Sequence, residues 1–244
     1  AGMKELIVVA QDITRYGLDL YGRRTLAQLL PKLCAIEGIQ WVRLHYLYPD
    51  EITDELIDVI AREPKIVKYL DIPIQHISDR VLRAMHRRGT GQEIRTLFRK
   101  LRERIPGLVL RTSLIAGFPG ETEEEFEASY AFVDRVDFYE THIFKYSKRE
   151  GTKAAVMDGQ IDEKIKGERS ARMIALGERK KKAYEDSFIG KEVEVLFEER
   201  AQIEGKAVMT GHTKEYMKIA LETEKNISNC IVKVRIENHS QIIR

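Results

Sequence analysis

The stretch Leu108-Val-Leu-Arg-Thr-Ser-Leu-Ile-Ala-Gly-Phe-Pro-Gly-Glu-Thr122 decides the fold. Residues 108–116 are apolar and rich in β-formers, broken only by Arg111, Thr112 and Ser113, which predicts a strand covered on both faces. Gly117-Phe118-Pro119-Gly120 then lets the backbone turn sharply and come close to something small. Thr122 is a natural N-cap and Glu125 completes a capping box, so a helix follows at once. A strand that ends in glycines and feeds a helix N-terminus is a common ligand cradle. Here the turn and the first helical turn carry Glu121, Glu123, Glu124 and Glu125. Those acids suit the helix dipole and would repel a phosphate, so a cationic ligand bearing a sulfonium or an amino group fits better. The same spacing also fits an acidic, well-capped turn with no ligand.

Working outward, further strands are expected at 6–10, 41–48, 68–75 and 137–146, with helical periodicity between them. Pro73 lacks an N–H and predicts a local irregularity in the third strand. Strand and helix alternate five times over connections too long for hairpins, which predicts a parallel sheet or barrel. Polar and glycine residues gather at strand ends: Gln11 and Asp12, Gln75 and His76, Gly117 to Glu121, and Ser147 to Thr152. In a (β/α) barrel that end is the active face. Five strands do not close a barrel, so at least one further βα unit is expected before Ala1.

Residues 160–187 read as one long, highly charged helix, either a solvated face laced with i,i+4 pairs or a nucleic-acid surface. After Gly190 the period drops to two, with short strands at 192–198, 205–211, 216–221 and 230–236. A small OB-like antiparallel barrel fits. The 244 residues hold Lys+Arg 41 against Asp+Glu 39, so any basic surface must be local. No apolar run reaches the roughly 20 residues of a membrane span. The start of the chain lacks a signal-peptide layout. The two cysteines, Cys34 and Cys230, form no disulfide framework or metal-ligand cluster and point to a reducing compartment. Cys34 follows Leu30 at helical spacing, and Cys230 alternates with Val232, Val234 and Ile236; both are expected in the core. His76 could face the mouth of the barrel, while His142 fits a satisfied core residue equally well. Arg87-Arg88 reads either as a helix C-terminus or as a carboxylate clamp.

With those residues in view, the chain resembles the radical SAM methylthiotransferases of the RimO/MiaB type. Ala10-Gln-Asp-Ile-Thr-Arg-Tyr-Gly-Leu-Asp-Leu-Tyr-Gly22, Tyr69-Leu-Asp-Ile-Pro-Ile-Gln-His-Ile-Ser-Asp79, Met85-His-Arg-Arg-Gly-Thr90 and Arg111-Thr-Ser-Leu-Ile-Ala-Gly-Phe-Pro-Gly-Glu-Thr122 resemble the branch that acts on an aspartate of a small-subunit ribosomal protein. His142-Ile-Phe-Lys-Tyr-Ser-Lys-Arg-Glu-Gly-Thr-Lys-Ala-Ala155, Phe188-Ile-Gly-Lys191 and Gly211-His-Thr-Lys-Glu-Tyr216 look instead like the branch that modifies threonylcarbamoyl-adenosine in tRNA. The resemblance implies an α/β fold: a partial (β/α) TIM-like barrel over 1–158, a connecting helix over 159–188 and a TRAM domain over 189–244. It also implies a cytoplasmic enzyme, monomeric and off the membrane, that uses S-adenosyl-L-methionine (SAM) and 4Fe-4S clusters. By matching motifs, Gln75, Arg88 (less surely Arg87), Ile115, Gly117, Pro119, Gly120 and Glu121 would line SAM, with Tyr146 and Ser147 beside them. The family's CxxxCxxC cluster loop is absent from these 244 residues. Without thiolates no such cluster is held, so the chain by itself is expected to be catalytically dead.

Two other classes stay open on the residues. An ordinary barrel lyase or aldolase would need a base or Schiff-base lysine at a strand end, where Lys145 alone stands out. A non-catalytic RNA- or ribosome-binding module would use the C-terminal barrel and the charged helix.

Overall fold

The computed structural model describes residues 2–243. Strands β1 (Glu5–Val8), β2 (Trp41–Leu44), β3 (Ile66–Asp71), β4 (Val109–Ala116) and β5 (Glu140–Lys145) form one five-stranded sheet in the order β1-β2-β3-β4-β5. Every pairing is parallel. Sequential order with crossovers of one hand puts the connecting helices on one face and leaves the other as the inner wall of an open barrel.

The connections carry helices α1 (Leu18–Tyr21), α2 (Leu26–Cys34), α3 (Asp54–Arg62), α4 (Asp79–Ala84), α5 (Gly91–Arg104) and α6 (Glu123–Val136). Thr53, Ser78, Thr90 and Thr122 cap α3, α4, α5 and α6 through their hydroxyls, and the expected capping box of Thr122 with Glu125 is present. The apolar faces of α2, α3, α5 and α6 bury Leu30, Ile57, Ile60, Phe98, Phe126 and Val133 against Val42, Leu44, Leu70, Leu110 and Leu114 of the sheet.

The inner face is covered only at its lower end, which corrects the expectation of two covered faces. In β4, Leu110, Thr112, Leu114 and Ala116 are buried towards the helices. On the other face Val109 is buried, whereas Arg111, Ser113 and Ile115 are half-buried and look into the cup. The polar residues that interrupt the strand are therefore the ones on its open face. Pro73 produces the expected break: β3 ends at Asp71, and the buried Thr112 hydroxyl donates to Ile72 O at 2.8 Å. Pairing resumes when Gln75 N donates to Ser113 O and accepts through its own carbonyl from Ile115 N, both at 2.9 Å. Gln75 adopts a left-handed φ of 68° to do so.

Helix α7 (Glu163–Asp186) runs back along β5 and α6. Only Lys166–Glu163 and Lys182–Asp186 pair along the helix; Arg169, Arg172, Lys180 and Lys181 reach acids on α6, on the turn before it and on β5. Most of the basic charge of this helix is thus paired within the molecule. Gly177 marks the closest approach, since a Cβ there would overlap the Thr141 Oγ1 of β5. Gly177→Ala is expected to cost about 1–3 kcal/mol of stability through overpacking. Adding Thr141→Ala should recover part of that loss in urea denaturation, and strictly additive effects would contradict the contact.

The C-terminal part forms a second, antiparallel sheet in the order β10-β8-β7-β6-β9, from β6 (Glu192–Ile203), β7 (Lys206–Thr213), β8 (Lys218–Glu222), β9 (Ile231–Arg235) and β10 (Ile242–Ile243). Among the described residues no pair joins β9 to β10 and closes the expected barrel. Cys230 is exposed, against expectation, because it precedes β9 and follows the left-handed Asn229; the alternating core begins only at Val234 and Ile236. Cys34 is buried as expected.

This sheet seats on the lower end of the cup. Val195, Phe197, Met209, Met217 and Ile219 bury against Trp41, Val67, Tyr69 and Val109. Arg43, fully buried, donates to Glu5 Oε1 at 2.8 Å, Lys214 O at 2.9 Å and Thr213 O at 3.0 Å. The other Glu5 oxygen meets His212 Nε2 at 2.5 Å. Burial opposes the charge on Glu5, but the His212 hydrogen bond and the Arg43 guanidinium outweigh it and hold the carboxyl below its usual range.

Candidate active site at the mouth of the cup

The turn after β4 is built from inside. Gly117 and Gly120 both take φ of 78°, the left-handed region that glycine enters without strain. The small groups they approach belong to the protein. A Cβ at Gly117 would overlap the Lys166 stem of α7, and one at Gly120 would lie 3.2 Å from the Arg80 guanidinium.

The acids of the turn are likewise committed. The buried Glu121 carboxylate accepts from Gly117 N at 2.8 Å and Arg169 Nη1 at 2.7 Å. His76 Nε2 lies 3.0 Å from its other oxygen. His76 Nδ1 accepts from Ser78 N at 2.9 Å, so the ring proton sits on Nε2 and points at Glu121. His76 is thus a buried strut and does not face the mouth. Glu123 pairs with Arg169 at 2.9 Å and with Arg172 at 3.3 Å. Glu125 accepts from Ser78 Oγ at 2.7 Å and pairs with Arg80. Against expectation, these carboxylates are not free to attract a cationic ligand: three of the four acids hold arginines that lock α4, α6 and α7 together.

Glu125 gives this lock a pH signature. Burial alone would raise its carboxyl; the Arg80 guanidinium, the Thr122 N–H and the Ser78 hydroxyl overcome that and hold it at about 2. A depressed folded value means the contribution is complete above the unfolded value near 4.5 and is lost as pH falls towards 2. Stability should fall through that window, and Glu125→Gln should flatten the fall in acid-titrated thermal melts.

Two adjoining cavities open at the C-terminal ends of β3, β4 and β5. One, of about 380 Å³, is lined by Gln75, Met85, Arg87, Ile115 and Phe118; the other, of about 400 Å³, by Ile115, Phe118, Tyr146, Ser147 and Arg149. They share Ile115, Phe118 and Ala154. Phe118 and Tyr146 meet edge to face, with ring centres 5.5 Å apart. The combined wall is apolar with a few polar groups at its edges, the usual make-up of a small-molecule site.

Of the residues expected around a ligand, Gln75, Ile115, Tyr146 and Ser147 meet at this mouth. Gly117, Pro119, Gly120 and Glu121 form the turn behind it. Arg88 lies elsewhere: it is exposed, 3.6 Å from Glu51, in a cavity of about 560 Å³ with Arg24 and Gln92. Arg87 takes the place at the mouth, its guanidinium 4.8 Å from the Tyr48 ring centre. Phe118 and Ala154 line both cavities and were not foreseen; the apolar residue inside a glycine turn was the available signal for Phe118. Lys145, the lysine a Schiff-base enzyme would need, is exposed and pairs with Glu163 at 3.0 Å.

The sequence profile of the Radical SAM superfamily matches residues 4–133, the span that holds β1 to β4 and this turn. The chain belongs to the radical SAM superfamily. Within it, the likeness to RimO-type methylthiotransferases holds. Ribosomal protein uS12 methylthiotransferase RimO of Alkaliphilus oremlandii is 44% identical over 97% of this chain and 55% of the relative. The protein of the same name from Lachnoclostridium phytofermentans is 49% identical over 86% of this chain and 46% of the relative. The chain thus spans about half the length of these relatives. Among solved structures, coproporphyrinogen III oxidase (HemN) from Escherichia coli, described as a radical SAM enzyme, superposes with a TM-score of 0.51 at 20% identity, covering 63% of this chain and 37% of that one. That likeness shows the fold alone. No helix among the described residues is long and apolar enough to cross a membrane.

Proposed function

We propose that this chain is the barrel and C-terminal part of a radical SAM methylthiotransferase that acts on an aspartate of a small-subunit ribosomal protein, and that SAM binds at the mouth of the cup. The observation that carries the proposal is the pair of joined cavities sharing Ile115 and Phe118, with Gln75 at one side and Ser147 at the other, in a radical SAM sheet. The residues present fit SAM: an apolar wall suits a nucleoside, and Gln75, Ser147 and the Arg87 guanidinium supply groups for its polar ends. Bound SAM would supply the radical and methyl chemistry. Ile115 and Phe118 would position the nucleoside, and Arg87 would hold the methionine carboxylate.

The residues do not fit a 4Fe-4S cluster. Cys34 is buried at the end of α2 and Cys230 is exposed just before β9, and the described residues contain no metal-binding group of three or more His, Cys, Asp or Glu. No step is derived through a cluster, and this chain by itself should bind SAM without cleaving it. The ribosomal protein is favoured over tRNA as target because a relative named for uS12 matches across 97% of the chain. The pairing of α7's arginines and lysines with acids of the barrel also leaves that helix a poor magnet for RNA. The C-terminal sheet would be the family's TRAM domain, docked below the cup.

Ile115→Trp fills the wall shared by both cavities without touching the turn's ion pairs. Isothermal titration should show SAM affinity reduced at least about tenfold, equivalent to about 1.4 kcal/mol. Unchanged affinity would remove the mouth as the SAM site.

A further inference from the structure

The inner wall of the cup carries a polar layer that the mouth does not use. Side chains on this face stack in rows across the sheet: Ile115 with Phe144, Ser113 with His142, and Arg111 with Glu140 and Asp71. Arg111 is the first inner-face residue of β4 above Val109, where the C-terminal sheet seals the cup. At about 3.3 Å per residue it lies about 13 Å below Ile115.

This layer is only partly satisfied by the protein. Arg111 Nη1 donates to Asp71 Oδ2 at 2.5 Å, and Nε lies 3.7 Å from Glu140 Oε2. Among the described residues Arg111 makes no other side-chain hydrogen bond, so most of its five donors remain unpaired. Glu140 is itself held by Lys181 at 3.1 Å and so neutralises the guanidinium only in part. Asp71 Oδ1, His45 Nε2 and the Tyr69 hydroxyl are buried around the same spot without a hydrogen-bond partner. A network kept only for stability has its buried polar atoms paired. Arg111 is not sealed off either: its side chain is 15% exposed, and that of His142 one row above is 43% exposed.

We infer that Arg111 is the specificity determinant for the substrate side chain, receiving an aspartate carboxylate that enters the cup from the mouth, with His142 along its path. The inference rests on the methylthiotransferase reading for the identity of the substrate, and on the geometry above for the site. A guanidinium with free parallel N–H groups grips a carboxylate in two-pronged fashion and holds the neighbouring carbon in a fixed place. An uncharged amide at the same place offers a single neutral oxygen to those N–H groups and forms the weaker, uncharged hydrogen bond.

The test titrates the 244-residue protein with N-acetyl-L-aspartate N-methylamide and with its asparagine analogue, followed by NMR of the histidine rings. Aspartate should bind at least about tenfold tighter than asparagine. It should also raise the titration midpoint of His142, which burial and then Arg111 hold below the usual imidazole range against the opposing pull of Glu140 and Asp71. Because Arg111→Gln alone would strand Asp71, the decisive variant is the pair Arg111→Gln with Asp71→Asn, which leaves no lone buried charge. It should lose the preference for aspartate while keeping a cooperative thermal melt; Arg111→Lys should keep part of it. The inference is overturned if the wild type does not distinguish the two probes, or if the double variant still does. Should SAM fail to bind the mouth while the preference for aspartate stands, the SAM site proposed there falls and the carboxylate site remains.

Discussion

Arg169→Ala should cost about 3–5 kcal/mol of stability, the loss expected when one partner of a buried charge pair is removed. Arg169 is buried on α7 and binds both the carboxylate and the backbone carbonyl of Glu121, at 2.7 and 3.0 Å, as well as Glu123. Truncation leaves the Glu121 carboxylate inside the protein with only the Gly117 N–H and His76 as donors. It also frees α7 from the turn that backs the mouth. At roughly 2–4 °C per kcal/mol for a chain of this size, the thermal midpoint should fall by about 10 °C. Arg169→Lys keeps the charge but cannot span both acids, and should fall between. A loss below about 1 kcal/mol for Arg169→Ala would show that the turn is held by something else.

Arg43→Ala should be comparably severe and differently distributed. The side chain is fully buried, stacked 4.3 Å from the Tyr216 ring centre, and it carries three hydrogen bonds between β2, β1 and the end of β7. Its removal takes away the main polar tie between the two sheets and leaves the Lys214 carbonyl unpaired, while Thr213 O keeps Tyr216 N as its donor at 3.0 Å. About 3–5 kcal/mol should be lost. Amide exchange should accelerate first in β7 and β8, because a weakened interface opens before either sheet does. Exchange that accelerates equally in β3 and β8 would contradict a role confined to that interface.

Much of this architecture was legible in the residues. The capping box at Thr122, the break at Pro73 and the switch from helix-spaced to alternating pattern after Gly190 are all local signals, and each marks a real feature. The polar interruptions of β4 were also visible, but their meaning was not: Arg111 and Ser113 interrupt an apolar run because one face of the strand lines the cup. The acids after Gly120 misled for a related reason. Their arginines lie about 45 residues away at Arg80, Arg169 and Arg172, and no local rule pairs them. Arg43 is the extreme case, bonding carbonyls 170 and 171 residues further on. Cys230 failed because alternation was extended one residue beyond the strand that carries it. Arg87 and Arg88 are adjacent, so only the turn at the end of α4 decides which of them reaches the mouth.

On the function proposed above, SAM occupies the cup where β3, β4 and β5 end. Titrating SAM into isotope-labelled protein and mapping the amide and methyl resonances addresses it directly. The largest perturbations should fall on Gln75, Ile115, Phe118 and Ser147, with Ile219 and Val234 of the second sheet unmoved. Perturbations confined to the second sheet, or to the cavity beside Glu51 and Arg88, would contradict it.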